Sequence, residues 1–271
     1  MSDAKITVFA ALSSFFRDLK NERRSVFTLY KRNFFHRYAG AKFNLLWVYL
    51  IPCSPIIVYN LLEKLGVFGS HDSGIPRSVY VTFGLTIYFI FPESLNVIGN
   101  ALSNNRNYIL KTGLSKISAV LASFLEIMSN FVIRMALMVI IAVVLTDGFS
   151  PLFLMLPVFG LIMMLISFPC GIFIGIFSIL YKDLNAITGM IGFYLLFASG
   201  IFMPIEEEGV FFSILRASPI YKVIEAGREV CLFGSGMPSV EFIYICLGGL
   251  LFFLISVIAL YRVDPLIDQS F

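Results

Sequence analysis

Six stretches of this chain are long and apolar enough to cross a lipid bilayer, and that fact constrains its fold more than any other. They fall at roughly 43–66, 79–100, 117–146, 151–180, 185–203 and 240–261. A helix needs about 20 mainly apolar residues to traverse the hydrocarbon core. Thr146 to Pro151 separate the third run from the fourth, and Tyr181-Lys182-Asp183-Leu184 the fourth from the fifth. Without those breaks each pair would fuse into a helix far too long for a membrane. The 271 residues are 58% hydrophobic and 14% charged, against about 45–50% and about 25% in a soluble domain. Too few charges remain to cover a water-soluble core. The same figures exclude intrinsic disorder. Four cysteines with no CxxC exclude a disulfide scaffold. The expected fold is an all-α integral membrane protein with six transmembrane helices.

The basic residues set its expected orientation, because Lys and Arg accumulate on the cytoplasmic side. Segment 1–42 carries nine: Lys5, Arg17, Lys20, Arg23, Arg24, Lys31, Arg32, Arg37 and Lys42. The 101–116 loop adds Arg106, Lys111 and Lys116, the 181–184 loop adds Lys182, and the tail adds Arg262. The opposite side holds Arg77, Arg216, Lys222 and Arg228, offset by Glu206, Glu207, Glu208, Glu225 and Glu229. Both termini are therefore expected in the cytoplasm, as an even number of spans requires. The division is an interface segment at 1–42, a six-span domain at 43–261 and a tail at 262–271. With the first apolar run starting at 43, no cleavable signal peptide is expected.

Two segments are neither span nor simple loop. In the first 42 residues Val8, Leu12, Phe15, Phe16 and Leu19 recur at helical spacing among basic residues, and Phe27, Tyr30 and Phe34 repeat the pattern. This is the signature of an amphipathic helix lying in the membrane interface. It serves either as an anchor to anionic lipid or, in addition, as a gate or docking surface. Stretch 204–239 is too long and apolar for a plain loop. Val210, Phe211, Ile214 and Leu215 form one apolar face and Ile220, Val223 and Ile224, after Pro219, another. Two short helices re-entering the outer leaflet before the last span satisfy this pattern; surface-lying helices are the alternative.

No phosphate-binding GxxxxGK[ST] loop, HExxH or GxSxG occurs. An enzyme is disfavoured, and no metal or cofactor site is expected on this chain. Charged residues inside the membrane point to function. Glu93, after Pro92, and Glu126 should lie about 10–13 Å deep from the cytoplasmic end, near enough to share a polar cavity. Arg134, about 25 Å in by the same rise, should pair with neither. Aromatic residues are abundant, and Tyr49, Tyr59, Tyr88, Phe89, Tyr194 and Phe197 lie within spans. Aromatic faces pack between helices or stack on the C–H faces of sugar rings. Gly171 and Gly175 form a small-xxx-small pair that permits close helix contact.

Arg37-Tyr38-Ala39-Gly40-Ala41-Lys42-Phe43-Asn44-Leu45-Leu46-Trp47, followed by Pro52, resembles the start of type-two ABC exporter permeases. Arg37, Tyr38, Leu46, Trp47 and Pro52 match the family pattern. Asn44 stands in place of a Gly at a bend, and Asn tolerates left-handed backbone better than most residues. Tyr108, Ile109, Lys111 and Leu114 resemble the coupling segment between spans two and three. Tyr181-Lys182-Asp183-Leu184 resembles an Arg-Asp-Leu loop. Ser199 to Pro204, then Ser218-Pro219 leading to Glu225 and Arg228, resemble the late outer segment. The resemblance covers nearly the whole chain.

Its length, basic amphipathic start and lack of a nucleotide domain resemble the permeases that export O-antigen, capsule or teichoic acid. The resemblance implies a homodimer in the bacterial inner membrane, working with two copies of a separate ATPase subunit that carries ATP and magnesium. It implies a lipid-linked glycan as cargo and no nucleic acid. Arg106, Tyr108, Ile109, Lys111, Leu114, Lys182 and Asp183 would meet the ATPase, with Tyr108, Ile109 and Leu110 as an apolar knob. Arg37, Tyr38, Asn44, Trp47 and Pro52 would form the N-terminal gate, and Pro204, Pro219, Glu225 and Arg228 the outer segment. Other readings are a permease for a drug or small lipid, and a membrane-embedded enzyme or assembly factor.

Overall fold

The computed structural model describes residues 8–35, 44–66, 75–146, 151–178, 181, 183–202, 209–234 and 240–270, and among these there is helix and turn but no strand. The amphipathic start is two helices rather than one. Helix α1 (Val8–Asn21) and helix α2 (Arg23–Phe35) meet at Glu22. Backbone bonds from Glu22 N to Asp18 O and from Val26 N to Glu22 O, both 2.9 Å, carry the chain through the break as a bend. α1 packs on the last helix, and α2 lies along the third apolar run.

Helix α3 (Asn44–Lys64) contains Pro52 and Pro55. Proline has no N–H to give the carbonyl four residues back. Ser54 Oγ donates to Ile51 O at 2.8 Å, satisfying the group that Pro55 leaves bare. The second apolar run is interrupted in a similar way. It consists of α4 (Arg77–Tyr88), a short α5 (Ile90–Glu93) holding Pro92, and a π-helical turn, Ser94–Ile98. Asn96 Nδ2 donates to Pro92 O at 2.9 Å and Ser94 Oγ to Ile90 O at 2.7 Å, so side chains supply further donors along this deformed stretch.

The helical path does not stop near residue 100. It continues as α6 (Ala101–Thr112) to Gly113, whose φ of +66° ends the helix in the left-handed conformation that favours glycine. Leu114 and an extended Ser115 lead into α7 (Lys116–Leu145), 30 residues long. At 1.5 Å per residue α7 spans about 45 Å, more than the roughly 30 Å hydrocarbon core, so part of it extends beyond the bilayer.

A 3₁₀ turn, Pro151–Met155, leads into α8 (Leu156–Ser178). Lipid tails give helices no hydrophobic reason to associate, so close packing through small residues decides. Gly171 and Gly175 lie against the π-helical turn, where a Cβ on Gly171 would come within 2.5 Å of Ser94 O. Ser94 and Ser167 hydroxyls bond there at 2.9 Å. α8 also packs along α12 (Val240–Ser270), with Phe173 stacked on Phe252 at 5.5 Å. α12 stays helical through the stretch read above as a tail.

Helix α9 (Leu184–Ala198) has 15 residues, about 22 Å at helical rise. Helices α10 (Val210–Ala217) and α11 (Pro219–Cys231) follow, with Pro219 in the first turn where its missing N–H costs nothing. α11 packs on α4 and α8 and buries Ile220, Val223 and Ile224. Among the described residues five helices are long and apolar enough to span: Leu46–Lys64, Arg77–Ile98, Lys116–Leu145, Pro151–Ser178 and Val240–Val263. The fifth expected run, 185–203, holds the shorter apolar helix Ile187–Ala198.

Candidate functional site

Charged and polar side chains collect where α2 crosses α6 and α7. Arg32 of α2 donates to Asn105 Oδ1 and sits 4.5 Å from the centre of the Tyr108 ring. Tyr30 and Ser129 share a hydrogen bond of 2.7 Å. Glu22, at the α1–α2 bend, accepts from Ser115 Oγ at 2.7 Å and from Ser118 Oγ. Asp18 accepts from Tyr261 of α12 at 2.8 Å. The two N-terminal helices are thus tied to the Gly113 turn and to the last helix by charge-assisted bonds, roughly twice as strong as neutral ones.

The segment expected to meet an ATPase is split by burial. Arg106, Lys111 and Asp183 are exposed, whereas Tyr108 and Leu114 are half-buried. Ile109 belongs to the hydrophobic core, and Leu110 is 55% exposed, so the projecting apolar residue is Leu110 and Ile109 anchors the helix beneath it. Lys182, Arg37, Tyr38 and Pro204 lie outside the described residues. Asn44 is the first residue of α3. Trp47 is exposed on α3 and Pro52 is buried.

The intramembrane charges correct one sequence expectation. Arg134 does pair with Glu93, through Nη1–Oε1 at 2.5 Å and Nη2–Oε2 at 3.0 Å. The expected depths rest on membrane boundaries near 100 and 117. The hairpin turns at Gly113 instead, and the two residues lie twenty positions before and twenty-one after it. Arg134 is 1% exposed and Glu93 20%. The pair borders a cavity of about 320 Å³ under the two prolines of α3. Glu126 lines a different cavity, of about 520 Å³, and Val97 lies on the wall of both.

The aromatic candidates divide as well. Tyr88 is buried and donates to Gly192 O of α9, and Tyr59 is buried against Phe202, 5.7 Å between centroids. Phe89 is half-buried, 5.8 Å from the Arg134 guanidinium. Tyr49, Tyr194 and Phe197 are exposed. Ring contacts run on from Tyr194 through Phe193, Phe197 and Phe202 to Tyr59, joining α9 to α3.

In the late segment, Arg228 joins three elements. Its guanidinium donates to Gly200 O at 2.9 Å, Ile201 O at 2.8 Å and Tyr80 O at 3.3 Å, and lies 3.6 Å from the Tyr80 ring centre. Glu225, one turn earlier, stands 3.7 Å away. A cation is favoured at the end of α9, where helix carbonyls lack partners. Gly84 leaves the space: a Cβ there would approach Arg228 Nη2 to 2.5 Å.

Sequence reasoning passed over the asparagines. Asn96, Asn100 and Asn104 recur every fourth residue along the end of the second apolar run, and they line the larger cavity with Asn33, Asn105 and Asn107. A polar stripe of helical period inside a hydrophobic run was the signal available. Among the described residues no three His, Cys, Asp or Glu side chains converge as metal ligands would.

Residues 24–232 match the ABC-2 type transporter family, most of the chain. This chain belongs to that family. An ABC-2 permease is a transport subunit of the membrane, and the several apolar helices fit a multi-pass protein. Such permeases work with an ATPase partner. Among curated proteins, this ABC-2 chain is 22% identical over 228 residues to the O-antigen export system permease protein RfbA of Myxococcus xanthus, covering 83% of this chain and 86% of that protein.

Proposed function

We propose that this chain is the transmembrane subunit of an exporter that moves a lipid-linked polysaccharide outward across the bacterial inner membrane. The observation that carries the substrate class is the likeness, over 83% of this chain, to an O-antigen export permease. Six spans, both termini in the cytoplasm, a homodimer and two copies of a separate ATPase complete the reading. The charge distribution supports the orientation, since Arg32 of α2 packs on α6, whose own Arg106 and Lys111 lie just before the Gly113 turn. ATP-driven movement of the partner would press on Leu110 and its basic neighbours, Arg106 and Lys111. That push passes to α2 and α7 through Arg32, Asn105 and Glu22, because buried and bonded contacts transmit displacement without slack. The exposed aromatic strip on α9 offers weak, repeated contacts of the kind a sliding glycan needs.

Deletion of the gene tests this. The expected result is loss of surface polysaccharide, with carrier-linked glycan trapped inside the cell. Normal surface polysaccharide in the deletion strain overturns it.

A further inference from the structure

The cavity of about 520 Å³ between α2, α6 and α7 has an unusual lining for so apolar a chain: six asparagines. Asn105 is buried, Asn33, Asn96 and Asn100 are half-buried, and Asn104 and Asn107 are exposed. Its volume lies in the range that encloses a small-molecule group. Three of the amides are held in fixed orientation by one bond each to their own helix: Asn96 to Pro92 O, Asn100 to Asn96 O and Asn105 to Ala101 O, at 2.7–2.9 Å. An amide carries two donor hydrogens and two acceptor lone pairs. Each of the three therefore keeps a donor hydrogen for a ligand while its rotamer is already set, which is preorganisation of a binding group.

The charges in the lining decide the ligand class. Arg32 and Glu126 are the charged residues among the described lining, one of each sign. Arg32 is already engaged by Asn105 and by the face of Tyr108. A phosphate would call for net positive charge, and an apolar group would strip water from the amides without replacing their bonds. Groups that both donate and accept, like the amides themselves, are hydroxyls. We propose that this cavity is a carbohydrate site, which holds sugar residues of the lipid-linked glycan by hydrogen bonds to the preset Asn96 and Asn100 amides and to the exposed Asn104 amide beside them. The site rests on the reading of the cargo given above and gives it a place in the chain. Its walls include α6 and α2, so a push on α6 changes the shape of the site and couples sugar release to the partner's stroke.

The test uses the full chain in cells with its partner. A photoactivatable p-benzoylphenylalanine at position 104, inside the cavity, is expected to yield a glycan-bearing adduct on irradiation. The same group at Ser103, exposed on α6 and outside the cavity lining, is expected to yield none. Asn100→Leu with Asn104→Leu removes the amides at similar volume. Export should fall about tenfold or more, the effect of losing one or two hydrogen bonds to a bound group, with protein level and ATPase co-purification unchanged. Wild-type export by the double variant overturns the site. So does an adduct at 104 that contains lipid and no sugar, or no adduct at 104 from a protein that exports normally. Unchanged surface glycan in the deletion strain is a separate result, and it overturns the cargo reading instead.

Discussion

Arg134 is the most demanding single residue in the chain, a full charge at 1% exposure within an apolar helix. Two Glu93 oxygens answer it. Removing one partner of a buried pair leaves an uncompensated charge, which costs about 3–5 kcal/mol, whereas replacing both with apolar groups is often nearly neutral. Glu93→Gln should therefore lower the melting temperature of the detergent-purified protein markedly, and Glu93→Met with Arg134→Met should restore most of it. Wild-type melting of the Glu93→Gln variant would show that the pair carries no structural role. Arg228 makes a parallel case. Ala at Gly84 would place a methyl group 2.5 Å from Nη2 and push the guanidinium off the Gly200 and Ile201 carbonyls. Overpacking of this kind costs about 1–3 kcal/mol. Gly84→Ala should show that loss on thermal melting, and pairing it with Arg228→Met should add little more, because the two changes remove the same contact.

At the level of elements, long apolar runs were legible because a bilayer leaves helices almost no alternative. Each of the five long spans falls on a run read from the sequence. What could not be read was where those helices deform. The bend at Glu22 is stabilised by Ser115 and Ser118, more than 90 residues away in sequence. The π-helical turn after Pro92 exists beside Gly171, Gly175 and Ser167 of α8. Such features are set by partners distant in the chain, and composition carries no trace of them. The misplaced depth of Arg134 has the same origin, since its level depends on the turn at Gly113 and not on the ends of a hydropathy window. Glycines show the difference between local and tertiary demands. A Cβ at Gly160 would fall 2.2 Å from the Phe131 ring, whereas one at Gly189 meets nothing within 4 Å. Gly160→Ala should weaken the α7–α8 contact and lower the melting temperature. Gly189→Ala should hold or raise it, because Ala is about 1 kcal/mol better than Gly in a helix interior.

For the molecule as a whole, the decisive asymmetry is in the placement of charge. The exposed cations of α6, Arg106 and Lys111, flank Leu110, which is 55% exposed, while Ile109 holds the helix to the core beneath them. An apolar residue left open between two cations is costly in isolation and useful at an interface, where it becomes a buried anchor with a charged rim. The rim should act chiefly on encounter and register with acidic groups of the ATPase, and the anchor on residence. Arg106→Glu with Lys111→Glu alters exposed positions alone, so thermal stability should stay within about 0.5 kcal/mol of wild type. Co-purification of the ATPase should nevertheless fall several-fold, and more steeply at low than at high salt, because the lost attraction is the screened one. Leu110→Ala should weaken the complex at all salt concentrations alike. An intact complex and normal export in the charge-reversed variant would move the docking surface off α6 and leave its basic residues with membrane orientation alone to explain them.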